Sequence, residues 1–357
     1  MKRMQAAELQ SASAKVAQWL LHGPAQLSSG PHAGAVVGVL DRSGHGAYAY
    51  CEIVGYYLQW LAWYAGDAAP DVELAPRAAA AQRWLRAWVD LPQPLTRIYL
   101  REPVEDWRNR TRFTFDCAMA IRGVASAAAM GLVQPDANVV AGLGRELRGL
   151  IGADGRFDAC LRPREVELPQ RWSTQRGGFL AKAAAGVIHA SSILPDLDGD
   201  VVAAAHSTFE AALDWALESP HDDVHALLYT FEGLLALRDD ARPAQGAGAV
   251  AAQYAALLQH IETRSRIPER LSDASGPQRA DVLAQTVRIG DLLADTMPDV
   301  VRRRLAPLRH RLAESIRVDG SVPFALDDPH SVANVWAAMF ASQALAGMPP
   351  AAAPLIV

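Results

Sequence analysis

CEIVGYYLQWLAWYAG, residues 51–66, decides the fold. Wound at 3.6 residues per turn, it places apolar side chains on every face, with Glu52 and Gln59 as its only strongly polar members. A helix that is apolar all round is buried all round. Five further stretches share this character: FDCAMAIRGVASAAAMG (115–131), GGFLAKAAAGVIHASSIL (177–194), VHALLYTFEGLLAL (224–237), DVLAQTVRIGDLLA (281–294) and NVWAAMFASQALAG (334–347). Between them lie amphipathic stretches with charged faces, such as PRAAAAQRWLRAWVD (76–90) and VVRRRLAPLRHRLAESI (300–316), each of which keeps one side in water.

Helical periodicity recurs from end to end and predicts twelve helices over 4–22, 47–66, 76–90, 113–131, 136–151, 173–194, 199–218, 222–238, 246–263, 278–297, 301–316 and 330–347. Alternating β-branched runs and Asn-Gly or Asp-Gly hairpins are nearly absent. Exposed and buried helices alternate six times. That order predicts an all-α chain folded as a closed (α/α)6 toroid, six inner helices ringed by six outer ones, in one domain over 1–357. Units of roughly 50 to 60 residues, each burying its apolar face on the next, fit one ring better than separate domains.

Composition excludes several classes. The net charge is −5, and the one basic cluster, VRRRLAPLRHRL (301–312), reads as a solvated helix face, so no nucleic-acid partner is expected. Cys51, Cys117 and Cys160 lack CxxC or Cys/His spacing, which suits a reducing compartment. No stretch of about 18 uninterrupted apolar residues predicts a membrane span. The segment MKRMQAAELQSASAKVAQWLL reads as an amphipathic helix rather than a leader, so a cytoplasmic location is expected. The P-loop, GxGxxG, GxSxG and HExxH signatures are missing, and neither cofactor nor metal is expected.

The links from inner to outer helices are short, whereas several links from outer to inner helices are long. Long loops gather function, so the site belongs at the rim where the inner helices begin. The segments reaching that rim are DRSGHGAYAYCE, EDWRNRTRFTFD, LPQRWSTQRGGF, SPHDDVHALLY, DASGPQRAD and DDPHSVANVW. Helix N-termini and arginines there suit an anion.

Candidate acids and bases are Glu52, Asp116, His225, Tyr229 and Glu232. The last three stand at i, i+4 and i+7 on one helical face. A carboxylate among aromatics, as Glu52 is, acquires a raised pKa suited to proton transfer. Candidate binding residues are Tyr50, Tyr56, Trp107, Arg108, Trp172, Gln175, Arg176 and Arg279, in which the tryptophans would stack on sugar rings and the arginines would clamp an acidic group. The Glu52–Tyr56–Trp60–Trp63 face reads as pocket wall near its start and core beyond Trp60. Arg288, two turns deep beside Asp281 and Gln285, reads as a structural ion pair.

The segments YCEIVGYYLQWL, FTFDCAMAIRGV, GRFDACL, WSTQRGGFLAKAAAGV and NVWAAMFASQAL resemble bacterial (α/α)6-barrel proteins associated with polysaccharide biosynthesis. More distantly they resemble the toroid domains of glucuronyl C5-epimerases, polysaccharide lyases and unsaturated glucuronyl hydrolases. Where the bacterial relatives tend to read Tyr-Pro-Glu, Cys51 stands in place of the proline. The resemblance implies a carbohydrate-active enzyme for a uronic-acid-like saccharide, of epimerase or lyase type, whose partner is a small-molecule or oligosaccharide ligand. The alternatives are a glycoside hydrolase using a carboxylate pair, a non-catalytic glycan-binding scaffold of polysaccharide assembly, and a cyclase or lyase of a small metabolite.

Overall fold

The computed structural model describes residues 6–67, 73–92, 96–101, 104, 106–218, 221–237, 243–273, 275–297 and 299–357. Twelve α-helices follow in order: α1 Ala6–His22, α2 Cys51–Asp67, α3 Leu74–Val89, α4 Thr114–Ala129, α5 Ala137–Arg148, α6 Leu180–Ser191, α7 Gly199–Glu218, α8 Val224–Ala236, α9 Pro243–Arg264, α10 Ala280–Leu292, α11 Asp299–Glu314 and α12 Val335–Ala346. The even-numbered helices pack each on the next, and α12 packs back on α2, which closes a six-membered inner ring. The odd-numbered helices lie outside it. The fold is the (α/α)6 toroid that the alternation predicts. Among the described residues no helix is long and apolar enough to cross a membrane.

The inner helices approach so closely because glycine stands at their crossings. A Cβ placed on Gly123 of α4 would lie 2.2 Å from the Gly55 carbonyl oxygen of α2. A Cβ on Gly233 of α8 would lie 2.2 Å from the Lys182 backbone nitrogen of α6. No side chain fits at either distance, so the ring's diameter depends on these residues.

Several inner helices begin later than periodicity alone predicts. Residues 48–50 are a strand, β1 (Tyr48–Tyr50), which pairs antiparallel with β2 (Arg97–Tyr99), so α2 starts at Cys51 rather than 47. The helix expected from 173 starts at Leu180, because residues 172–174 form a separate 3-10 turn and the low helix propensity of Gly177 and Gly178 leaves the entry as a tight turn, with their carbonyls accepting from Leu180 and Ala181 N–H. The helix expected from 330 starts at Val335, where the Asn334 side chain accepts from the Ala337 N–H at 2.8 Å. The predicted start at residue 4 and end at residue 238 lie outside the described residues.

Strands, nearly absent from the sequence signal, form a narrow crown on this rim. A second ribbon joins β3 (Arg112–Phe113) to β4 (Cys160–Leu161), and single bridges such as Asp223↔Arg270, Arg279↔Ala325 and Val39↔Asn334 link the remaining segments. These pairings are too short to leave a periodic trace, yet they fix the heights of the side chains that face the mouth.

Replacing Gly123 by alanine is expected to lower stability by about 1–3 kcal/mol, because overpacking outweighs the better helix propensity of alanine. Gly144→Ala on outer helix α5, whose added Cβ meets only Leu197 Cδ1 at 3.9 Å, is expected to be neutral or stabilising. Urea unfolding of both variants reads the two signs.

Candidate functional site

The rim encloses a cavity of about 160 Å³, close to the volume of roughly 150 Å³ that holds benzene in an engineered core. It accommodates one six-membered ring. Two opposed walls and a set of arginines define its chemistry.

The first wall is carboxylic. Glu52 lies in the first turn of α2 and Asp116 in the first turn of α4, both buried. The Tyr50 hydroxyl, presented by β1, donates to Asp116 Oδ1 at 3.0 Å and also faces Glu52. Asp116 Oδ2 is buried without a hydrogen-bond partner. Burial pushes Asp116 well above the carboxylate range, and the Glu52 charge pushes it further. Burial also raises Glu52, opposed by the hydroxyls of Tyr50 and Tyr56. Two carboxyl groups in one apolar site cannot both ionise cheaply, so they retain a proton between them.

The second wall belongs to α8. In ring order α8 stands three places from α2, directly across the barrel. His225 Nδ1 lies 2.6 Å from Gln285 Oε1, and Gln285 Nε2 donates to Glu232 at 3.3 Å. That amide orientation assigns the imidazole proton to Nδ1 and leaves Nε2 a free lone pair. Burial, reinforced by the Arg279 charge, depresses His225 to about 3, so the ring is neutral. One turn on, the Tyr229 hydroxyl accepts from the Tyr56 hydroxyl at 3.1 Å, a bond that spans the ring beneath the cavity.

Four arginines line the cavity: Arg97, Arg108, Arg171 and Arg279. Arg108 Nη1 donates to both carboxylate oxygens of Asp106 at 3.2 and 2.9 Å, and Arg279 makes a two-nitrogen forked pair with Asp281 at 3.0 and 2.5 Å. Phe115, Trp172, Tyr229 and Trp336 supply apolar surface. Trp172 does not cap the rim. It folds inward against Phe179, His225 and Tyr229, with ring centroids 5.0, 5.9 and 6.1 Å away. Trp107 packs edge-on to Phe113.

The structure therefore brings together Tyr50, Glu52, Trp107, Arg108, Asp116, Trp172, His225, Tyr229 and Arg279. Four other expected residues stand elsewhere. Glu232 is fully buried below the cavity, held by Lys182 Nζ at 2.7 Å and Arg288 Nη2 at 2.5 Å, because a turn deeper on α8 no longer reaches the mouth. Tyr56 likewise lies beneath the wall, so the boundary between pocket and core on α2 falls one turn earlier than Trp60. Arg176 is spent on Asp154 (2.6 Å) and Asp158 (2.9 Å), stapling its own loop. Gln175 is exposed in a groove of about 760 Å³ outside the cavity, which shares Trp107, Arg108, Arg171 and Trp172 with it.

Among the lining residues that sequence reasoning did not single out are Arg97, Arg171 and Trp336. Arg97 is placed by the Tyr50↔Arg97 register of β1 and β2, a tertiary pairing with no local signature. Arg171 precedes Trp172 as Arg108 follows Trp107, and that mirrored pairing was the available signal. Trp336 reads as core in α12 but sits in its first turn, where its Nε1 donates to Asp281 at 2.9 Å.

A carboxyl group whose pKa is raised on folding contributes stability below its unfolded pKa, and that contribution is lost as pH climbs through the raised value. Depressed histidines such as His225 give both proteins the same rising contribution, so the carboxyl pair of the wild type is expected to add to it a falling slope of melting temperature above the ordinary carboxylate range. Asp116→Asn is expected to flatten that slope and to be more stable than wild type near neutrality. A melting-temperature series from pH 4 to 8 on both proteins checks it.

No known family profile matches the chain, and no curated protein matches it in sequence. Solved structures do match over nearly the whole length. A cellobiose 2-epimerase from Spirochaeta thermophila is 12% identical, with a TM-score of 0.67 over 95% of this chain and 97% of that one. An unsaturated glucuronyl hydrolase specific for heparin is 10% identical, with a TM-score of 0.67 over 96% of each chain. A type II terpene cyclase from Scytonema is 14% identical, with a TM-score of 0.60 over 98% of this chain and 99% of that one. At such identities the likeness is one of fold: this chain is built on the same (α/α)6 toroid as these enzymes.

Proposed function

We propose that the protein is a carbohydrate-active enzyme performing acid/base chemistry on a single sugar ring that carries a carboxylate. One observation carries the reading: two buried carboxyl groups, Glu52 and Asp116, face a neutral histidine and a phenol, His225 and Tyr229, across a cavity the size of one ring. The names of the epimerase and the glucuronyl hydrolase among the structural neighbours support a saccharide. Titratable groups left facing a cavity support catalysis over a scaffolding role.

In this scheme the ionised member of the Glu52–Asp116 pair removes the proton on the carbon next to the ligand's carboxylate. The electron pair moves into that carboxylate, whose developing charge the arginines stabilise. Tyr229 then gives a proton from the opposite face and is resupplied by the Tyr56 hydroxyl, which in turn recovers the abstracted proton from Glu52, so the epimerisation returns every group to its starting state. Departure of a leaving group from the neighbouring carbon would complete an elimination instead. His225 accepts a ligand hydroxyl at Nε2. The second reading is glycoside hydrolysis, favoured by the grouping of both carboxyls around one tyrosine hydroxyl, with one as acid and the other as nucleophile.

Uronate-containing oligosaccharides incubated in D2O separate the readings. Wild type is expected to place deuterium at the carbon next to the carboxylate, with rates lowered about 10²–10⁴-fold in Glu52→Gln and Asp116→Asn. New reducing ends with neither deuterium nor a new carbon–carbon double bond would select hydrolysis, whereas new reducing ends with an unsaturated ring would select elimination. Neither change with any such saccharide would remove the uronate enzyme altogether.

A further inference from the structure

Charge counting around the cavity separates its four arginines into two kinds. Arg108 and Arg279 are already neutralised by their pairs with Asp106 and Asp281, and Asp281 additionally accepts from Trp336 and from its own helix. Arg97 and Arg171 make no ion pair with any carboxylate among the described residues. Arg97 is held by stacking instead, its guanidinium carbon 4.5 Å from the Tyr48 ring centroid and 5.7 Å from that of Tyr50. Stacking occupies the faces of a guanidinium and not its in-plane N–H donors; the Tyr99 hydroxyl engages that edge of Arg97, and its Nε is buried without a partner. Arg171 stands at the lip, where it walls both the cavity and the outer groove. Burial and the positive charges of Arg108, Arg279 and Arg97 act on it against the negative charge of Asp223.

We propose that Arg97 and Arg171 form an oxyanion clamp for one negatively charged group of the ligand, while Arg108 and Arg279 only anchor the rim's own aspartates. Two unpaired guanidinium charges stand against the single charge that the proton-sharing Glu52–Asp116 pair retains. Arg171 also feels Asp223, whose side chain caps α8, so the open guanidinium donors rather than a net charge select the ligand group: one monoanion, a carboxylate or a sulfate ester. The clamp also puts that anion beside the carboxyl pair, since Arg97 acts on both Glu52 and Asp116. The inference deepens the saccharide reading by naming what binds the acid group, but the anion site itself does not depend on the ring being a sugar.

Isothermal titration of the full chain with glucuronate, glucuronamide, glucose and sodium sulfate tests it, on wild type, Arg97→Gln, Arg171→Gln and Arg176→Gln. The expected result is glucuronate binding at least tenfold tighter than glucuronamide in wild type. That advantage should vanish in Arg97→Gln and Arg171→Gln and survive in Arg176→Gln. Equal binding of glucuronate and glucuronamide by wild type overturns the clamp without requiring any variant to fold, and so does an advantage undiminished in both Gln variants, whose binding itself shows that they fold. Sulfate bound by wild type and lost in the two variants, with no response to any sugar, would keep the clamp and discard the saccharide reading. No response to any of the four ligands would discard both.

Discussion

A single carboxylate with no access to water, Glu232, sets the terms for the rest of the barrel. It accepts from Lys182 on α6 at 2.7 Å, from Arg288 on α10 at 2.5 Å and from Gln285 at 3.3 Å, and Arg288 continues to Gln343 on α12 at 2.7 Å. Four of the six inner helices thus meet at one ionic network. Removing one partner from such a buried arrangement leaves an uncompensated charge at a cost of several kcal/mol, so the helices assemble in one register or pay that penalty. Burial pulls Lys182 down to about 7, and Glu232 opposes the fall. The rings of Tyr229 and Tyr56 lie 4.6 and 4.8 Å from the Lys182 ammonium, so the cavity's floor rests directly on this network.

The site above inherits its asymmetry from ring order. Acids come from adjacent helices α2 and α4, the imidazole and phenol from α8 on the far side, and the arginines from the crown of loops. Helix N-terminal halves carry the candidate acids and bases, while most of the arginines come from the loops and ribbons above them. The Tyr56–Tyr229 hydrogen bond joins the two sides, so the proton inventories of the opposite walls are not independent.

The fold was legible in the sequence because burial on all sides is a property of each helix alone. Once CEIVGYYLQWLAWYAG and five similar stretches alternate with amphipathic ones, the inner and outer ranks follow from the hydrophobic effect. The location of the rim followed from loop lengths. Depth along a helix was harder to read: His225, Tyr229 and Glu232 share a face, yet only the first two reach the cavity, because periodicity gives azimuth and not height. Which arginine has a partner was not legible at all. Arg176 and Arg171 stand five residues apart in the same loop, and only the positions of Asp154 and Asp158 decide that one is a staple and the other is free. Arg97 required the β1–β2 register, which is a property of two segments brought together.

The closure of α12 onto α2 has a kinetic side. It brings together residues from the two extremes of the chain: the Ser13 hydroxyl donates to the Ser342 carbonyl at 2.9 Å across 329 residues, and the Tyr56 and Phe340 rings lie 5.5 Å apart. Bringing such distant segments together costs loop entropy that local helix formation does not recover, and chains rich in non-local contacts fold slowly. Until that seam forms, the partial ring is an arc with two apolar edges, each complementary to the other and equally to the edge of a neighbouring molecule. Closing the seam within one chain therefore competes, in any such arc, with exchange of terminal helices between two chains.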